Sequence, residues 1–183
     1  MKKALLYSLI CFIFFPLVAF GYETIIIDFP LRTKWEVIYY KKYDTEAILQ
    51  YIPAGQDRTH WKQSVVVHSY KGYEGAVHKL ADRVTARLYV QNPTGRFKYL
   101  RYASVDCVAV RSTTDYKGIK GQSEILRVTK GSEGSMTIQY LDRDKAHFKK
   151  NYNTWLKIIK EARLYNSYWR DNRVLNKSES FEL

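Results

Sequence analysis

The sequence predicts an α+β fold: a two-layer sandwich in which a twisted antiparallel sheet carries two amphipathic helices packed on one face. Short runs of β-branched and aromatic residues follow one another with turn residues between them, which is typical of a meander of strands. Two longer segments instead repeat apolar residues with the helical period of 3.6. The strands are joined as hairpins rather than through helical crossovers, and this favours antiparallel pairing.

The first half of the domain is predicted to consist of strands. Thr24–Asp28 is a short β-branched run before Pro30. Lys34–Lys42 alternates, with Trp35, Val37 and Tyr39 on one face and Tyr40 on the other. Glu46–Ile52 follows a short turn.

A turn with a longer connection separates these strands from the next one. Pro53 has no N–H to donate to a ladder, and Gly55 tolerates positive φ. The polar residues Gln56–His60 follow, and Trp61–Ser69 resumes the extended pattern. We expect Trp61 to be buried at the sheet edge, where it would anchor the strand after the turn.

The period then changes to that of a helix. Apolar residues from Val77 to Leu88 form one helical stripe, which ends before Asn92-Pro93. Phe97–Thr113 is long and strand-like, and it is expected to form either two strands or one strand with a bulge near Ala103-Ser104. Ile125–Lys130 and Met136–Leu141 are predicted to form a hairpin.

A second helix is predicted from about Asp144 to Leu164. Its apolar stripe comprises Phe148, Tyr152, Trp155, Leu156, Ile159 and Ala162. Asp144 is a candidate N-cap, because a carboxylate there accepts hydrogen bonds from the first free N–H groups.

The N-terminus has the pattern of a secretory signal peptide. Lys2 and Lys3 precede the apolar run Ala4–Phe20, and small residues favour cleavage between Gly21 and Tyr22. A retained anchor is the alternative, although about 17 apolar residues are at the lower limit for a span. We therefore predict a signal peptide over residues 1–21, a single domain over 22–165 and a polar, mobile tail over 166–183. The mature protein would have no stable membrane span and would reside in the periplasm or outer envelope, or be secreted.

The charge restricts the choice of partner. Removal of Lys2 and Lys3 lowers the formal net charge from +12 to +10. Such a balance favours acidic protein surfaces, acidic glycans or acidic lipids, whereas nucleic acid is not expected for an exported protein. The positive charges are spread along the chain rather than clustered in a basic run, which is also typical of a solvated surface.

The residues that usually carry catalysis or metals show no recognisable spacing. His60, His68, His78 and His147 do not form a metal-ligand motif, and the sequence has no nucleophile elbow, P-loop or glycine fingerprint. Cys107 would be the single cysteine of the mature chain, and its alternating surroundings predict a buried thiol. We expect no catalytic residues, no metal and no cofactor.

Tyrosine is the unusual component, since fifteen of the sixteen tyrosines follow the signal peptide. Neighbours such as Tyr39 and Tyr40 point to opposite faces of a strand, so some tyrosines must lie outside the core. Tyrosine beside lysine or arginine makes a good contact surface, but it can also simply cover a sheet. The candidate binding surface comprises Tyr40, His60, Trp61, Tyr70, Tyr73 and Tyr102.

The order of these motifs resembles a group of small, uncharacterised exported proteobacterial proteins. In that group a strand ends in a Pro-x-Gly-Glu/Gln turn, here Pro53–Gln56, and a Trp, here Trp61, opens the next strand. The resemblance extends from about Lys34 to Ala162. It implies a periplasmic α+β domain close to the PsbP-like sandwiches, and it carries no activity and no catalytic residues.

Three functions are compatible with these observations. The favoured one is a non-enzymatic envelope protein that binds another protein, as an accessory component of a secretion assembly such as a type IV system. The alternatives are a periplasmic binder of acidic glycan or lipid, and a hydrolase of unrecognised type.

Overall fold

Seven antiparallel strands form the central sheet in a computed structural model, which describes residues 23–166. The predicted signal peptide and most of the predicted tail, residues 167–183, lie outside the described residues. The strands are β1 (Glu23–Ile26), β2 (Trp35–Lys42), β3 (Glu46–Pro53), β4 (Gln63–Lys71), β5 (Arg96–Tyr102), β6 (Asp106–Ser112), β7 (Ser123–Lys130), β8 (Gly134–Asp142) and β9 (Arg163–Asn166). The helices are α1 (Val77–Gln91), between β4 and β5, and α2 (Lys145–Glu161), between β8 and β9.

The strand order of the sheet is β2-β3-β4-β8-β7-β6-β5, and β1 pairs with β9 in a separate two-stranded sheet. Every pair of neighbours in the large sheet is antiparallel. The α+β class and the antiparallel sheet are therefore confirmed. Phe97–Thr113 forms two strands, β5 and β6, which is the first of the two expected alternatives.

The placement of both helices on one face is wrong. Trp155 and Ile159 of α2 pack with Val108 and Ile125, while Leu80 of α1 packs with residues such as Leu126. Successive strand residues point to opposite faces, so Ile125 and Leu126 identify two different sides of the sheet. The sandwich thus has three layers, with an α1 face and an α2 face of one shared sheet.

Aromatic rings dominate the core on the α2 face. The Trp155 ring stacks on Tyr140 with ring centroids 4.0 Å apart, and it meets Trp35 edge-on at 5.3 Å. Phe29 stacks on Trp35 at 5.0 Å. Full burial of a large apolar side chain, such as Val, Leu, Ile or Phe, stabilises a fold by roughly 1.5–3 kcal/mol.

The α1 helix begins and ends through contacts made by the sheet. No side chain caps its start, and the Val77 N–H donates instead to the Ser104 carbonyl at 2.9 Å. At its C-terminal end, the Arg111 guanidinium donates to the Leu88 carbonyl at 2.8 Å. Arg111 also pairs with Glu124 at 3.0 Å, and their side chains are only 3% and 0% exposed.

The α2 helix has the predicted N-cap. The Asp144 carboxylate accepts from the Ala146 and His147 N–H groups, and these bonds hold the pKa of Asp144 below its usual value. At the other end, Arg127 donates to three carbonyls, those of Ile159, Lys160 and Ala162. An arginine of the sheet therefore hydrogen-bonds to carbonyls at the C-terminal end of each helix. The two arginines lie on opposite faces of the sheet.

Two bulges, at Ile38 in β2 and at Leu100 in β5, change which residues share a face. In β2, Val37 pairs with Tyr51 and Tyr39 with Gln50, so the register shifts at Ile38. Tyr39 consequently lies on the α1 face, and the prediction that it shares a face with Trp35 and Val37 is wrong. An extra residue in one strand has this effect because it interrupts the strict alternation of the pleat.

The stretch around Trp61 forms a turn, but Trp61 is not buried. Gly55 has φ 82°, and the Gln56 N–H donates to the Pro53 carbonyl at 3.2 Å. The Trp61 side chain is half-buried outside both apolar clusters, with the Arg143 guanidinium 3.9 Å above its ring. Arg143 also donates to the Trp61 carbonyl at 3.0 Å, so the loop is tied to the start of α2 rather than to the core.

Candidate functional site

The six residues of the predicted binding surface lie in three separate places. Tyr40 lies in the edge strand β2. His60 and Trp61 lie in the loop before β4. Tyr70, Tyr73 and Tyr102 lie close to α1 on the opposite face from α2. The structure therefore does not assemble them into one surface.

The tyrosines near α1 hold this helix on the sheet. The hydroxyls of Tyr99 and Tyr102 each donate to a different oxygen of Asp82 in α1, both at 2.8 Å. A bulge at Leu100 places both tyrosines on the α1 face, although simple alternation would separate them. Burial raises the pKa of Tyr99 to about 12, and the hydrogen bond to Asp82 raises the pKa of Tyr102. The sequence did not identify Tyr99 or Asp82, because the bulge is not visible in it.

The loop before β4 is stabilised locally. Asp57 accepts hydrogen bonds from the N–H and hydroxyl of Thr59, both at 2.6 Å, and from the His60 N–H at 3.1 Å. These bonds hold the pKa of Asp57 well below its usual value. The His60 side chain is 83% exposed, so this loop offers an accessible imidazole.

A carboxylate, an imidazole and a phenol form a hydrogen-bonded chain on the α1 face. His68 Nε2 lies 3.0 Å from Glu46 Oε2, and the Tyr70 hydroxyl lies 3.0 Å from His68 Nδ1. The two rings also stack, with centroids 4.1 Å apart. The sequence placed His68 in the sheet but did not predict these partners, which come from a neighbouring strand and from two positions further along β4.

This chain is satisfied internally. One tautomer fulfils both bonds: Nε2–H donates to Glu46, and Nδ1 accepts from Tyr70. Burial lowers the pKa of His68 despite the nearby carboxylate, and burial raises the pKa of Tyr70 to about 12. A general base needs a free lone pair within reach of a substrate. In His68 the only basic nitrogen already accepts from Tyr70, so the geometry favours a structural role.

A second histidine connects β8 to α2. The Asp142 carboxylate is fully buried and accepts from the Tyr140 hydroxyl at 2.8 Å and from the Asp144 N–H at 2.9 Å. His147 Nδ1 lies 2.5 Å from the same carboxylate. This network satisfies a buried charge and fixes the strand–helix junction.

Neither a metal centre nor a reactive thiol is evident in the described part of the chain. Within residues 23–166, no group of three or more His, Cys, Asp or Glu side chains is placed to hold a metal ion. Cys107 is buried, as predicted, and its thiol lies 3.3 Å from the Ala103 carbonyl. Burial raises the pKa of this thiol, which disfavours the nucleophilic thiolate.

Within residues 23–166, three exposed tyrosines lie close together at the end of β2 and just after it. We name Tyr39–Tyr43 the tyrosine edge, because Tyr39, Tyr40 and Tyr43 are 43%, 42% and 48% exposed. Tyr39 pairs with Gln50 and Tyr40 with Leu49, so their rings lie on opposite faces of the strand. The Lys41 ammonium lies 4.8 Å from the Tyr43 ring, and the contact with Tyr43 raises the pKa of Lys41.

Comparison with protein-family models, curated proteins and solved structures finds no match for this chain. The resemblance to small exported proteobacterial proteins stays a prediction. Of the helices in residues 23–166, neither is long and apolar enough to cross a membrane.

Proposed function

We propose that this protein is a non-enzymatic, exported envelope protein that binds an extended, acidic segment of another protein along the tyrosine edge. The observation that carries this proposal is the exposure of all four residues from Tyr39 to Lys42 in a terminal strand of the sheet. An extended peptide can add to such an edge through main-chain hydrogen bonds, with its side chains seated on both faces.

The side chains of the edge suit this mode of binding. Tyr39 and Tyr40 provide aromatic surface on opposite faces of the strand, where a bound segment would present alternate side chains. Tyrosine is enriched in interfaces because it combines a rigid apolar ring with a hydrogen-bonding hydroxyl. Lys41 and Lys42 are both exposed and favour an acidic partner.

The same features discriminate between partners. Lysines and a bulge are devices by which proteins prevent uncontrolled pairing of an edge strand. The bulge at Ile38 limits the regular part of the edge to Tyr39–Lys42, and the lysines repel basic segments. A short acidic strand is the partner that satisfies both restrictions.

Export is the second part of the proposal. The apolar N-terminal run supports cleavage before Tyr22, and the resemblance supports a periplasmic location with a role as an accessory component of a secretion assembly. N-terminal sequencing of the protein from envelope fractions should give Tyr22 as the first residue. Protein that retains Met1 or Lys2 in the cytosolic fraction would contradict this part.

Binding can be tested with a photo-crosslinking amino acid at position 40 in the native host. We expect capture of a protein at an acidic segment, and we expect Lys41→Glu to reduce the capture. The matched control carries the probe at Tyr89, which is 53% exposed on α1, and should not capture that segment.

The captured segment then decides between strand addition and another contact. As a synthetic peptide it should slow amide hydrogen exchange in residues 39–42 of the purified protein, and Lys41→Glu should weaken its binding about tenfold. A peptide that binds without protecting these amides would refute the proposed mode. Failure of the probe at position 40 to capture an acidic segment would refute the partner class.

A further inference from the structure

Two adjoining grooves lie at the other terminal strand of the sheet. The first lies between β5, β6 and α2, and the second lies beside it, near Tyr89 of α1, the loop that precedes β5 and the start of α2. The first has a volume of about 430 Å³ and the second about 650 Å³. Both are lined by Arg96 and Ser112, so they lie next to each other. Volumes of 300–1,000 Å³ are typical of sites for small organic ligands.

The first groove has an apolar lining, which we name the apolar groove. It is formed by Leu100 and Val110 of the sheet and by Phe148 and Tyr152 of α2. Leu100 is the extra residue of the β5 bulge, and it is exposed. Bulges often redirect a side chain in this way. Here the bulge directs a leucine into a groove rather than into the core.

The second groove is polar and cationic, and we name it the cationic groove. Its lining includes Arg96, Lys145 and the hydroxyl residues Thr94, Ser112 and Thr114. The apolar groove adds Lys98 at its rim. None of the residues that line the two grooves is acidic.

We propose that the two grooves together bind an amphiphilic anion, namely a long-chain fatty acid or the corresponding acyl chain of an anionic lipid. The acyl chain would lie in the apolar groove, and the anionic head would lie in the cationic groove beside Arg96 and Lys145. Each buried methylene group favours binding, and a guanidinium can hold a carboxylate through two parallel hydrogen bonds.

Neighbouring charges leave these cations available for a ligand. The Gly121 N–H, at 2.8 Å, and the Lys120 ammonium, at 3.1 Å, hold the pKa of Asp115 below its usual value, and Lys145 has a smaller influence. The Asp115 carboxylate is therefore already paired. Arg111 also lines the apolar groove, but it is buried against Glu124 and does not contribute a free charge. Arg96 lies at the junction of the two grooves, so it is the residue expected to orient the ligand.

This inference is independent of the proposed protein-binding function. The grooves lie at β5, whereas the tyrosine edge lies at β2, and the two strands are at opposite ends of the strand order. The variant Lys41→Glu should therefore leave ligand affinity unchanged, so failure of one proposal can be distinguished from failure of the other.

The test is a displacement titration with purified protein and the fluorescent fatty acid 11-(dansylamino)undecanoate. Laurate should displace the probe, and 1-dodecanol, which has the same chain without the charge, should do so at least tenfold less effectively. Equal displacement by both compounds, or displacement by neither, would overturn the proposal.

Matched variants locate the site. Arg96→Gln should weaken laurate binding about tenfold and leave 1-dodecanol nearly unchanged, while Leu100→Gln should weaken both. Lys79→Gln changes the net charge equally at an exposed position of α1, on the other side of the sheet, and should have no effect. Equal effects of Arg96→Gln and Lys79→Gln would show a diffuse charge effect and would refute the groove.

A final arm distinguishes the source of the anion. Vesicles of phosphatidylglycerol and of phosphatidylcholine are compared with monomeric laurate. Binding of laurate, whether or not anionic vesicles also compete, supports the site. Binding to anionic vesicles without any binding of laurate would indicate adhesion to a charged membrane surface and would overturn the proposal.

Discussion

At the scale of single residues, similar side chains have different roles because their surroundings differ. Trp155 is packed between the rings of Tyr140 and Trp35, whereas Trp61 lies half-buried beneath Arg143. A cation–π contact contributes about 0.5–2 kcal/mol, and loss of a core Trp costs about 3–5 kcal/mol. Trp61, which lies in the loop before β4, is therefore less important for stability than Trp155.

This difference gives the first prediction. Trp61→Ala should lower the free energy of unfolding by about 1–2 kcal/mol, and Trp155→Ala by about 3–5 kcal/mol. Urea unfolding followed by far-ultraviolet circular dichroism measures both. Equal losses for the two variants would mean that Trp61 is an integral part of the core.

The second prediction concerns the pH dependence of stability. Burial holds the pKa of His68 below its usual 6.5, so the unfolded chain binds a proton there more readily than the folded protein does. The contribution of His68 to stability is therefore fully present above pH 6.5. It is lost as the pH falls below 6.5, the pKa of histidine in the unfolded chain, towards the lower pKa of His68 in the folded protein. The melting temperature should therefore fall between pH 7.5 and pH 5.5.

Two histidine variants, one at His68 and one at His60, provide the test and the control for this effect. His68→Gln should reduce the acid-induced fall in melting temperature, whereas His60→Gln, at the exposed loop position, should retain it. If both variants respond to acid as the parent does, His68 does not carry the pH dependence.

At the scale of secondary-structure elements, the two helices are stabilised by charged residues of the sheet. Arg111 donates to the Leu88 carbonyl near the end of α1. Arg127 donates to the Ile159 and Lys160 carbonyls in the last turn of α2. Burial raises the pKa of Glu124 against the opposing effect of Arg111. The Arg111–Glu124 pair is thus costly to bury, and each partner depends on the other.

The third prediction follows from this dependence. Arg111→Met should destabilise the protein by roughly 3–5 kcal/mol, because it leaves the Glu124 carboxylate buried without its partner. The double variant Arg111→Met/Glu124→Leu should recover at least half of that loss. Denaturant unfolding of the two single variants and the double variant forms a complete cycle. Additive losses would show that the two side chains do not interact.

At the scale of the whole molecule, one sheet serves two apolar clusters. Ile125 belongs to the cluster on the α2 face and Leu126 to the cluster on the α1 face, so adjacent residues of β7 connect the two. Because the backbone of the sheet is common to both, loss of one cluster should also weaken the other.

The fourth prediction tests this coupling. Leu80→Ala removes apolar contacts on the α1 face and should cost about 2–5 kcal/mol. The chain has four tryptophans, so the test uses a Trp61→Phe/Trp169→Phe background in which Trp35 and Trp155 remain. Tryptophan fluorescence then reports on the α2 face and should show the same shift of the midpoint as circular dichroism. A fluorescence transition that does not shift would mean that the two faces unfold independently.

The sequence by itself determined the elements that depend on neighbouring residues. The spacing of Val77, Leu80 and Ala81 predicted the buried side of α1, Asp144 predicted the start of α2, and alternation around Cys107 predicted its burial. These signals are local, because the periods of 3.6 and 2 follow from backbone geometry alone.

Only the tertiary structure decided how these elements meet. An apolar stripe shows which side of a helix is buried but not which face of a sheet covers it, so α1 and α2 could be assigned to the same side. The bulges at Ile38 and Leu100 each shift the alternation by one residue, which separates Tyr39 from Trp35 and brings Tyr99 and Tyr102 together on Asp82. Strand order and register depend on contacts between residues far apart in the sequence. For that reason, only the structure showed that the predicted surface is divided and where the tyrosine edge and the two grooves lie.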